Sequence, residues 1–205
     1  PVDPPKIRLL AATDMMKLAT PETRDALQPA IRQVYDIFGT AKSVRLAEGD
    51  ISGWREVFRV CQAAEVWQVH GDWVTREKPS FGPGVLDRFR MASSITEEEL
   101  TPARREREAI RERITDLLGD DGIIVLPTSP GPAPLRNASE ADLDRFRVAA
   151  LELLCTAGLC GLPQISLPVA RVDGAPVGLS LIGGACKDGL LLSLARKFAR
   201  QRIAL

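Results

Sequence analysis

Residues 164–184, QISLPVARVDGAPVGLSLIGG, constrain the fold more than any other stretch of the chain. Ile165, Leu167 and Val169 fall on alternate positions, as do Val177, Leu179 and Leu181, which is the period of strands with one buried face. Asp173-Gly174 between them is a hairpin signal, because both residues tolerate positive φ and the resulting turn matches the twist of paired strands. Alternation places Ser166 and Ser180 away from the apolar set. Pro168 and Pro176 cannot donate to a ladder, so each belongs at an edge, a strand start or a bulge. A serine becomes a nucleophile only with a base beside it and an oxyanion site nearby. Neither serine sits on the sharp glycine-flanked turn that exposes a reactive hydroxyl, so both read as polar-face residues of scaffold.

The segment DGIIVLPTSPGPAP adds a second constraint. Ile123 to Leu126 form a continuous apolar run of the kind buried on both faces, and the chain leaves it at Pro127 into a proline-rich loop. Ligands gather at such strand ends in open α/β sheets, which makes Thr128 and Ser129 candidate substrate-binding residues. An ordinary loop accounts for the same two residues equally well.

The flanking segments supply helices. Ile7 to Ala12 reads as a strand, followed by a helix capped by Thr20, with Pro21 at its first position, running to Gly39 with a kink at Pro29. A strand at Ser43 to Leu46 completes a strand, helix, strand unit of the type that builds a parallel or mixed sheet. Val57, Val60, Cys61 and Ala64 lie at helical spacing, and KPSFGPG is a loop. Thr96 and Glu99 have capping-box spacing at the head of a charge-dense helix whose alternating signs mark a solvated face rather than an RNA-binding one. Ser93-Ser94 precede that helix and are explained by a cap or turn. A further helix carries Phe146, Ala149, Ala150, Leu153 and Leu154 on one face, and a last one opens at Asp188.

Composition excludes several classes of function. Twenty-seven basic residues balance 27 acidic ones, so the net charge gives no electrostatic reason to expect nucleic acid or an anionic membrane as partner. No apolar run is long enough to span a bilayer. Cys61, Cys155, Cys160 and Cys186 lack CxxC spacing and share the chain with one histidine, His70, which argues against a zinc site or a redox pair and for buried thiols in a reducing, cytoplasmic compartment.

The order of these motifs resembles the C-terminal part of the amidase signature family: LPTSPGPAP after a buried strand, then Gly161-Leu162-Pro163, Ser166-Leu167-Pro168, Gly174 to Gly178 and Asp188 opening the last helix. HGDWVTREKPSFGPGV is similar to the indole-acetamide hydrolase branch. The resemblance implies an α/β fold, part of the amidase signature fold, with a mixed β-sheet flanked by helices. It also implies a parent enzyme that hydrolyses the amide bond of a small carboxamide through a Ser, cis-Ser, Lys triad, with no cofactor. That triad belongs to the family's N-terminal half, in a GGSSGG-type segment that this sequence does not contain. Ser93-Ser94 lack the flanking glycines, and Ser166 and Ser180 match structural positions.

The expectation is therefore a single unit over residues 1–205, the C-terminal portion of an amidase domain without its catalytic half and with no catalytic residue of its own. A non-catalytic interaction module on the same fold is the alternative. A sheet cut through in this way is expected to self-associate through uncovered strands, notably around Ile7 to Ala12.

Overall fold

The computed structural model describes residues 6–82 and 84–203; Pro83, inside the expected KPSFGPG loop, lies outside them. In chain order the elements are β1 (Arg8–Ala12), α1 (Thr13–Met16), α2 (Pro21–Phe38), β2 (Lys42–Val44), α3 (Ile51–Glu77), α4 (Val85–Ser93), α5 (Glu97–Leu118), β3 (Gly122–Pro127), α6 (Glu140–Cys160), β4 (Gln164–Val172), β5 (Ala175–Gly183) and α7 (Asp188–Ile203). The strands form one mixed sheet in the order β2-β1-β3-β5-β4. β1 runs parallel to both β2 and β3, while β5 is antiparallel to β3 and to β4.

The turn chemistry acts as its residues require. Asp173 and Gly174 have φ of 48° and 80°, and the hairpin pairs Val172 with Ala175. The register slips between Pro168 and Ala170 on the edge strand β4, where a missing N–H costs no central ladder bond. β3 sits mid-sheet, and Ile123, Ile124, Val125 and Leu126 are completely buried, each stabilising the fold by roughly 1.5–3 kcal/mol.

Two apolar layers sandwich the sheet. On one face Leu9, Ile123, Val125, Leu167, Val169, Val177, Leu179 and Leu181 pack with Leu27, Ile31 and Val34 of α2 and Leu191, Leu194 and Phe198 of α7. On the other, Leu10, Ile124, Leu126 and Ile182 pack with Ile110, Ile114 and Leu118 of α5 and Leu153, Cys155 and Leu159 of α6. α2 runs unbroken through Pro29, its N-terminus capped by Thr20, which accepts from the Thr23 N–H. Thr96 and Glu99 form both bonds of the capping box.

Several expectations are corrected. β1 is not an uncovered strand: it lies between β2 and β3, with Leu9, Leu10 and Ala12 buried, so the sheet edges are β2 and β4. Leu154 is 42% exposed because the buried face of α6 turns through Leu153, Cys155, Thr156 and Leu159. Cys186 is exposed, unlike the three buried thiols. α1 and α4 carry no length of periodic apolar pattern and were not expected. Asp14 of α1 accepts from the backbone N–H groups of Leu46 and Ala47, at 2.9 and 3.0 Å, and these two bonds tie the chain after β2 to the helix that follows β1.

Candidate functional site

Strand alternation places Gln164, Ser166, Gly178 and Ser180 on the same face of the hairpin, and the register sets Ser166 opposite Ser180 and Ser180 opposite Leu126 of β3. This row passes from the apolar core to the open edge of the sheet. Leu126 and Ser180 are fully buried, whereas Ser166 and Pro168 are exposed. Thr128 follows β3 onto the same face. Its Oγ1 lies 2.9 Å from Ser166 Oγ and 2.8 Å from Ser180 Oγ, and Gln164 Nε2 donates to Ser180 Oγ at 2.9 Å. Gly178 is required here: a Cβ on it would meet Thr128 Oγ1 at 2.7 Å and Ser166 Oγ at 2.8 Å.

The two expected site residues separate in role. Thr128 joins the hydroxyl cluster, and its backbone N–H donates to Gly178 O at 2.9 Å. Ser129 turns the other way and donates to Gly131 O at 2.7 Å, closing the loop on itself. The loop is fastened once more where the Thr20 N–H donates to Pro130 O at 2.8 Å. Its conformation is thus held by the chain's own hydrogen bonds. Gln164, Ser166, Gly178 and Ser180 were not among the expected site residues; their shared strand parity is the signal that links them.

Several other chemistry-bearing groups are engaged by the backbone or buried. The hydroxyls of Ser93 and Ser94 donate to Arg90 O and Met91 O at the end of α4. Burial pushes the Cys155 thiol up to about 12 and the Cys160 thiol up to about 11, leaving both protonated and poorly nucleophilic near neutrality. Burial likewise raises the carboxyl of Glu152 above its ordinary value, against the opposing pull of Arg55 at 3.7 Å. One turn further along α6, Thr156 Oγ1 is buried with no hydrogen-bond partner among the described residues.

What the sheet and its strand end define is a cluster of hydroxyls on a partly exposed polar strand face, with no nucleophile and base paired on it among the described residues. The amidase family model matches residues 27–192, and the chain belongs to the amidase family. It is 31% identical over 97% of its length to Amidase 1 of Arabidopsis thaliana, of which it covers 53%. It is 35% identical over 69% of its length to Amidase 1 of Oryza sativa subsp. japonica, of which it covers 33%. A solved structure described as a crystal structure of amidase superposes with a TM-score of 0.81 at 25% identity, over 98% of this chain and 47% of that one. The chain therefore spans about half, or less, of the length of these relatives. Among the described residues, no helix is long and apolar enough to cross a membrane.

Proposed function

We propose that the chain is the C-terminal portion of an amidase domain that hydrolyses the carbon–nitrogen bond of a small carboxamide, of the indole-acetamide type and in the cytoplasm. In this reading the nucleophilic serine, its bridging serine and the lysine are supplied by preceding sequence. The observation that carries it is the strand end at Thr128 and Ser129. A loop anchored at three points presents hydroxyls beside an open polar face of the sheet, in a family that works on amides.

Thr128 and Ser129 form one wall of the substrate pocket, and the remaining wall comes from the other half of the domain. Their role is orientation. The Thr128 hydroxyl, on a loop that Ser129 fixes through Gly131 O, helps to align a carboxamide with little entropy lost on binding and without reacting with it. The chain by itself should turn over neither indole-3-acetamide nor simple aryl amides, and turnover abolished by a single serine substitution within it would overturn the reading. In the intact amidase, Thr128→Val should change relative kcat/KM among amides of different size by up to about tenfold, the effect of one lost hydrogen bond. Identical kinetics across aliphatic and aromatic amides would show that the wall lies elsewhere.

The exposed β4 edge is also the surface through which the isolated chain would self-associate. Light scattering that shows a strict monomer at high concentration would exclude this.

A further inference from the structure

The hydroxyl cluster has a direction, and burial decides it. Each serine or threonine hydroxyl owns one proton and can accept from two neighbours. Gln164 Nε2 already donates to Ser180 Oγ, so two bonds remain to be oriented, Ser180 with Thr128 and Thr128 with Ser166. If Ser166 donated to Thr128 and Thr128 to Ser180, the Ser180 oxygen would accept twice. Its own proton would then be stranded, because among the described residues its side chain bonds only to Gln164 and Thr128, and it is fully buried. Folded proteins seldom keep such an unpaired donor. In a second order Ser166 and Ser180 both donate to Thr128, and the proton of the half-buried Thr128 is left without an acceptor, because among the described residues its side chain bonds only to these two serines. In the third order Ser180 donates to Thr128 and Thr128 to Ser166, so the proton of every interior hydroxyl is used. The proton left over belongs to Ser166, the exposed end of the row.

Resting on the amidase reading above, we infer that Ser166 is the ligand-contacting hydroxyl of this site, donating its free proton to the carbonyl oxygen of a carboxamide. Thr128, Ser180 and Gln164 are positioning residues that fix the direction of this donor and strengthen it, since each bond in a chain polarises the next. Gly178 makes room for this arrangement, because a Cβ there would press into the hydroxyls of Thr128 and Ser166.

The test is a backbone-amide NMR titration of the 205-residue chain with propionamide and, separately, with propionate. Propionamide should shift the amide signals of Thr128, Ser166 and Gly178 together. Ser166→Ala should weaken its binding about tenfold, Ser166→Thr, which keeps the hydroxyl, should bind as the parent does, and Ser180→Ala should weaken binding by a smaller factor of about two to three. Propionamide shifts confined to other residues, or unchanged binding in Ser166→Ala, would overturn the role of Ser166 while leaving the amidase reading intact. If propionate alone bound at these three residues, the carboxamide specificity would fall, and the amidase reading with it, although the hydroxyl donor would remain. Binding of neither probe would overturn the inference.

Discussion

Ser166 Oγ and Thr128 Oγ1 lie 2.9 Å apart although 38 positions separate them in the chain. Three conditions bring them together. Thr128 leaves the buried central strand β3 on the face where Ser166 emerges from the edge strand β4, and β5 lies between them with a glycine at the crossing point. The polar patch is therefore a product of sheet order, and its integrity depends on Gly178 having no side chain.

Gly178→Ala is expected to destabilise the chain by about 1–3 kcal/mol, because the new methyl displaces both hydroxyls rather than filling space. Thermal unfolding should show a midpoint lower by several degrees. Gly189→Ala provides the contrast: a Cβ at Gly189 meets nothing within 4 Å, so the midpoint should not fall. Equal behaviour of the two variants would mean that the hydroxyl cluster yields without cost.

Thiol reactivity should separate the cysteines sharply. Cys186 is exposed, whereas Cys61, Cys155 and Cys160 are buried and desolvation holds their thiols protonated. A chromogenic disulfide reagent at pH 8 is expected to titrate one equivalent rapidly in the folded chain and four after denaturation. Rapid release of two or more equivalents from the folded chain would contradict this burial.

Glu152 makes stability depend on pH in an unusual sense for a carboxylate. Burial raises its carboxyl above the ordinary 4.5, so between these two values the folded chain holds the proton more firmly than the unfolded one. The stability present below the ordinary value is lost as pH rises through the folded one. Glu152→Gln should accordingly melt above the parent at pH 7, and the gap should close toward pH 4. A parent that melts higher at pH 7 would show that the ion pair with Arg55 outweighs the cost of burial.

Thr156→Val should stabilise the chain by about 1 kcal/mol, since it keeps the side-chain shape and removes a buried hydroxyl that has no partner among the described residues. Chemical denaturation would register this as a higher midpoint with an unchanged slope. A lower midpoint would reveal a hydrogen bond made by Thr156.

Much of the architecture was legible in the residues because it rests on local rules. The Asp173-Gly174 turn, the capped starts of α2 and α5, the apolar run of β3 and the opening of α7 at Asp188 each follow from backbone preferences or from a period of two or 3.6 residues within one short segment. Alternation also set Ser166 and Ser180 together on the strand face opposite to that of Leu167 and Leu179. What only the tertiary structure decided was strand order and depth. It placed β1 inside the sheet rather than at its edge, buried Ser180 while leaving Ser166 open, and set Thr128 against both while turning Ser129 aside. Periodicity assigns a residue to a face, but its neighbour across that face comes from a distant segment. Whether a hydroxyl is spare or bound therefore depends on contacts that no local rule contains.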